Sequence, residues 1–149
     1  MTTFDFGFGK VPAHQHANGG GWVADSARVE GTVYVGPNAQ VFDNAHVSGN
    51  ALVFDNAHVF GGAWVSGNAL VFDNAQVYGD AEVYGDAHVS DNAWVSGNAR
   101  VYGNARVYGD ARVSDNAQVS DNARVSGDAR VFGDAWVFGG AWVSGDVCL

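Results

Sequence analysis

Val41-Phe42-Asp43-Asn44-Ala45-His46-Val47-Ser48-Gly49-Asn50-Ala51-Leu52 is two copies of one six-residue pattern, and the pattern never loses step in the rest of the chain. Every sixth residue from Val23 to Val143 is Val, Leu149 closes the series, and from Ala27 onward Ala stands two places before each, except for Val33 and Val147. Residues two apart project to the same side of a strand, so Ala45 and Val47 point inward while His46 and Ser48 point outward. The step from Val47 to Ala51 needs a corner. Its two middle positions are Gly or Asp, then Asn, Asp or Gly, the residue types that turn tightly and tolerate positive φ. The repeat therefore reads as short strand, corner, short strand, corner.

One Val and one Ala per repeat is a thin inward filling, which suits a narrow closed coil and not a sandwich. The pattern V-x-[GD]-[ND]-A-x closely resembles the hexapeptide repeat of left-handed parallel β-helix proteins. That resemblance implies an all-β fold, a triangular solenoid with about 18 residues per coil and about seven coils over residues 21–149. The family hosts acyltransferases, γ-class carbonic anhydrases, polymer-forming proteins and uncharacterised phage proteins, and its members are mostly side-by-side trimers. Residues 1–20 stand apart as a short capping segment. Phe4, Phe6 and Phe8 alternate as in a strand, and Pro12 with Gly19 to Gly21 reads as a turn into the first coil. This segment resembles the leader of phage-type hexapeptide proteins, which implies a phage or prophage setting.

Composition narrows the classes. A chain of 149 residues is one domain, and most of its 21 Gly stand in phase with the repeat as corners. Cys148 is the single cysteine, so no internal disulfide framework forms. No stretch approaches a transmembrane length and no signal-peptide pattern opens the chain, giving an expectation of a cytoplasmic protein, in the host cytosol if phage-encoded, with no membrane partner. A net charge of −9 argues against generic nucleic-acid binding through phosphates.

With 18 residues to a coil, outward residues can be read as columns. Leu52, Phe54, Leu70 and Phe72 form one apolar patch, and the last coil turns Trp136 and Trp142 outward. Both are expected interfaces of a homo-oligomer, a trimer by family resemblance. Arg100, Arg106, Arg112, Arg124 and Arg130 all occupy the slot between Ala and Val, with Tyr102 and Tyr108 beside two of them. Guanidinium next to an aromatic face is the chemistry that holds a nucleotide or other small planar anion. Solvated charge on a strand surface is the plainer reading of the same residues. Along one corner edge Asp55, Asp73 and Asp91, then Asp110, Asp128 and Asp146, put a carboxylate in each coil. Asp55, Asp73 and Asp91, and the pair His14 and His16, are the weak candidates for a cation, each short of a full ligand set, so no metal and no cofactor is expected.

Acyltransferases of the resembled family generally use a His near a subunit boundary and often carry a long loop or added helical domain. Here the repeat has neither. His46, His58 and His88 fall on three different faces with no evident partner to orient a base. The expectation is thus a non-enzymatic solenoid, without catalytic residues, that presents a rigid patterned surface to a protein partner. The alternatives are a nucleotide- or anion-sequestering protein with sites at subunit interfaces, and an acyltransferase of the hexapeptide family.

Overall fold

The computed structural model describes residues 2–149. In chain order it has β1 (Thr3–Asp5), β2 (Lys10–Gln15) and β3 (Trp22–Ala24), then twenty strands of two residues each, from Arg28–Val29 to Trp142–Val143. They fall into three sheets, each with seven parallel strands drawn from the repeat. Parallel partners are 18 residues apart throughout, as in Val47, Val65 and Val83. The molecule is a three-sided parallel β-solenoid of seven coils.

We call the sheet containing Gln40, His58, Gln76, Trp94 and Arg112 face one. Face two carries His46, Trp64, Glu82, Arg100 and Gln118. Face three carries Leu52, Leu70, His88, Arg106 and Arg124. From Ala39 to Val131 every inward Ala and Val is at most 1% exposed. Burying each Val fully contributes roughly 1.5–3 kcal/mol, and the six-residue spacing repeats that contribution three times per coil.

The corners show why Asp shares this position with Gly. The first corner residue has positive φ whether it is Gly49 (67°) or Asp43 (58°), Asp55 (56°), Asp73 (58°), Asp91 (56°), Asp115 (57°) or Asp121 (58°). Each of those six carboxylates accepts the backbone N–H of the corresponding residue one coil on. Gly61 donates to Asp43 at 3.1 Å, Asp73 to Asp55 at 3.3 Å, Asp91 to Asp73 at 3.2 Å and Gly109 to Asp91 at 2.9 Å. Gly133 and Gly139 donate to Asp115 and Asp121, both at 3.1 Å. The hydrogen bond offsets the left-handed backbone that a side chain otherwise disfavours.

The N-terminal segment differs in detail from its sequence pattern. The expected strand through Phe4, Phe6 and Phe8 ends at Asp5, because Gly7 and Gly9 take φ of 113° and 115° and turn the chain back. β1 and β2 pair antiparallel, and β2 pairs antiparallel with β3, so the hairpin extends face one. Phe4 stacks on Trp22 at 4.7 Å and Phe6 on Phe42 at 4.9 Å. Residues 16–21 cross to face three, where Val35 N–H donates to Asn18 O and Gly21 N–H to Val35 O, both at 3.0 Å. Buried His16 donates through Nε2 to Val33 O at 2.8 Å. Edge groups of the first coil that no earlier repeat could pair are thus satisfied on two of three faces.

At the other end, Arg130 N–H donates to Val147 O and Leu149 N–H to Arg130 O, both at 2.8 Å, so residues 147–149 lie along face one. Trp136 and Trp142, 59% and 64% exposed, mark the last coil on the other two faces.

Candidate functional site

On face three an open groove of about 220 Å³ is lined by residues of four successive coils. These are Phe72, His88, Ser90, Asp91, Arg106, Tyr108 and Arg124. The repeat places them there without any loop. His88, Arg106 and Arg124 are successive partners in one parallel column, at the usual strand spacing of about 4.8 Å. Phe72 meets the His88 ring edge-on at a centroid distance of 6.4 Å.

Like the Arg112 and Arg130 pair of face one, this groove holds two adjacent guanidiniums. Among the described residues the ion pairs are His14 with Asp25, at 2.7 Å, and Arg100 with Glu82, at 3.3 Å. Arg106 and Arg124 are neighbours of like sign with no carboxylate within ion-pair distance of either. Arg124 also lies over the Trp142 ring at 5.4 Å, and two like charges side by side favour a nearby anion. Burial, and then the positive charge of Arg106, push the His88 imidazole below its ordinary value, against a smaller upward pull from Asp86. His88 is therefore neutral near pH 7, with a lone pair available on one ring nitrogen.

The other sequence-selected residues are distributed as follows. Of the seven Arg and Tyr candidates, only Arg106, Tyr108 and Arg124 meet in this groove. Arg112 lies over the Trp94 ring at 4.7 Å and is followed by Arg130, on face one. Arg100 is engaged by Glu82 on face two, where Tyr102 stacks on Tyr84 at 5.0 Å and donates its hydroxyl to Gln118 Oε1 at 3.1 Å. Leu52, Phe54, Leu70 and Phe72 do adjoin one another, but they are half-buried, because Phe54 and Phe72 lie flat together at 5.0 Å with planes 1° apart.

The cation candidates already have partners. His14 Nδ1 bonds the Asp25 carboxylate, His16 is committed to Val33, and Asp55, Asp73 and Asp91 accept backbone N–H groups. No group of three His, Cys, Asp or Glu residues suited to a metal ion occurs among the described residues. No helix there is long and apolar enough to cross a membrane.

The repeat family described as YdcK beta solenoid repeat matches residues 63–79, 75–91, 93–107, 99–115, 105–119 and 117–131. The chain is a β-solenoid built on a six-residue repeat, and the matched repeats lie in its central and later coils. In its fold the solenoid is similar to the acetyltransferase domain of PglB from Neisseria gonorrhoeae FA1090 in complex with acetyl coenzyme A. The TM-score is 0.65 at 23% identity, over 76% of this chain and 55% of that one. A second structure of the same domain gives a TM-score of 0.64 at 23% identity, over 76% of this chain and 54% of that one. The solenoid thus spans about half the length of those chains. No curated protein sequence matches it significantly.

These findings correct the expectation of a non-enzyme. That expectation took the missing loop and the unpartnered histidines as excluding catalysis, yet an acetyltransferase domain is built on the same fold. The column arrangement places His88 in a groove next to Arg106, with Arg124 one coil further on.

Proposed function

We propose that the solenoid is an acyl-CoA-dependent acyltransferase module with its reaction groove on face three. The observation that carries this reading is the in-register column His88, Arg106, Arg124, an imidazole next to Arg106 and two coils from Arg124, neither guanidinium having an acid partner. Support comes from the likeness of fold to a domain solved in complex with acetyl coenzyme A.

In this reading Arg106 and Arg124 take the phosphates of coenzyme A by charge-assisted hydrogen bonds, and Tyr108 and Phe72 flank its planar and apolar parts. His88 removes the proton from an acceptor amine or hydroxyl as that atom attacks the thioester carbonyl. The C–S bond of the tetrahedral intermediate then breaks, and the departing thiolate takes the proton from the imidazolium. The acyl group has moved to the acceptor, free coenzyme A thiol is released, and His88 is neutral again. A general base contributes about 10²–10⁴-fold, and a pKa below the working pH keeps it in the active form.

An open groove holds a charged ligand weakly, because water screens each contact. A second copy laid along the Leu52, Phe54, Leu70 and Phe72 patch supplies the missing wall and makes an oligomer, a trimer in this reading, the competent form.

The test is acetyl-CoA titration by calorimetry, with thiol release followed against a panel of amines and sugars. His88→Ala should lower turnover at least 100-fold while leaving acetyl-CoA affinity within about threefold. Arg106→Ala with Arg124→Ala should weaken that affinity at least tenfold. No acetyl-CoA binding refutes the proposal. Binding without turnover on any acceptor favours the second use of the same Arg pair, sequestration of a nucleotide-like anion.

A further inference from the structure

Face two carries a trough whose chemistry differs from that of the His88 groove. Its first part, about 290 Å³, is lined by Gly62, Trp64, Asp80 and Glu82. A second part, about 440 Å³, shares Asp80 and Glu82 and continues past Asn98 and Arg100 to Asn116 and Gln118. The column Trp64, Glu82, Arg100, Gln118 is in register, so the trough crosses four coils and is roughly 14 Å long at normal strand spacing.

Two features mark it off from the rest of the surface. Trp64 is a large apolar side chain left 52% exposed in the middle of the solenoid, with one side of its ring stacked on His46 at 4.7 Å and the trough on its other side. Beside it the corner Gly61-Gly62 lacks the Asn or Asp that most corners carry at the second position. A Cβ at Gly62 would come within 2.8 Å of Asp80 Oδ1, so the absent side chain leaves that carboxylate facing open space.

We propose that this trough is a carbohydrate-binding site for a short chain of uncharged sugar rings, independent of the acyltransferase reading. A pyranose presents a face of polarised C–H bonds, which packs on the electron-rich face of an indole, and a rim of hydroxyls, which pair with planar groups offering two hydrogen-bonding atoms. Trp64 supplies the first. Asp80, Glu82, Asn98, Arg100, Asn116 and Gln118 supply the second along the full length of the trough. Charge rules out a phosphorylated ligand here: two carboxylates outnumber one guanidinium, and Arg100 is already paired with Glu82 at 3.3 Å. A peptide added as an extra strand is ruled out too, since the backbone of Trp64, Glu82 and Arg100 is paired to strands on both sides. A length of four coils selects an oligosaccharide over a single ring.

Two substitutions separate binding from folding. Trp64→Ala removes the platform from an exposed position. Gly62→Asn fills the notch with a residue the repeat accepts in the same register, as Asn68 donates to Asp86 at 3.2 Å one coil on. Both variants should melt within a few degrees of the parent.

Cellotetraose, chitotetraose and maltotetraose, each at millimolar concentration, are titrated into the full chain by calorimetry. At least one should bind, with the affinity abolished by Trp64→Ala and lowered at least tenfold by Gly62→Asn. No heat from any of the three, or binding that survives both substitutions, overturns the proposal. His88→Ala should leave sugar binding unchanged, so failure of the acetyl-CoA experiment and failure of this one are separable.

Discussion

Asp43 offers the sharpest test of how the corners hold. It sits at φ 58° and accepts the Gly61 N–H at 3.1 Å in a partly buried corner. Asp43→Gly removes the acceptor and leaves the backbone conformation free of strain, so it should cost about 1 kcal/mol, the net worth of a typical hydrogen bond. Asp43→Ala loses the same bond and also forces a Cβ-bearing residue without a local acceptor into the left-handed region, adding about 1–2 kcal/mol. Asp43→Asn keeps both the oxygen and the tolerance of positive φ and should stay within about 0.5 kcal/mol of the parent. For a chain of this size each kcal/mol shifts Tm by about 2–4 °C, so the expected order is parent, Asn, Gly, Ala, with Ala roughly 4–12 °C below the parent. Urea midpoints at pH 7 with an unchanged m-value check the order independently. Equal losses for Gly and Ala would refute the strain argument, and an Asn variant as unstable as Ala would refute the hydrogen bond.

Two further outcomes are expected. Burial holds the half-buried His58 imidazole below its ordinary 6.5. The unfolded chain then takes up the proton first, so the stability this neutral ring contributes is complete above about pH 6.5 and is lost as pH falls through the depressed folded value. A Tm profile from pH 8 to 5 should flatten in His58→Gln, and an unchanged profile would rule out this histidine as the cause. Changing Leu70 and Phe72 together to Ser should lower the molar mass seen by light scattering by breaking the oligomer; an oligomer of unchanged mass would move the contact elsewhere.

The solenoid was legible because its core needs only two inward residues per repeat and no insertion disturbs their phase. Once Val47, Val65 and Val83 are stacked, every outward column follows by counting, including the succession of His88, Arg106 and Arg124. What counting could not supply was the state of each side chain. Arg100 and Arg106 occupy the same slot in successive repeats, and only the residue one coil back, Glu82 in one case and His88 in the other, makes one a paired ion and the other a bare cation. Phe54 and Phe72 looked exposed because ring stacking along a column is invisible in the pattern. The Asp edge looked like a ladder of repelling charges until its backbone partners were seen. The β2 strand hid behind Pro12, and the phage association has no counterpart among the matched proteins.

The unbroken period gives this molecule two very different kinds of deletion. Loss of 18 residues removes a whole storey and leaves everything above it facing the same way. Loss of six is equally silent to the Val and Ala interior, yet it turns the upper part of the tower by one face. Removing 89–94 would carry Arg106 and Arg124 around the corner from His88 and dismantle the groove without uncovering a single core side chain. In such an architecture stability reads the period of six and chemistry reads the period of 18, so a damaged site can hide inside a perfectly sound fold.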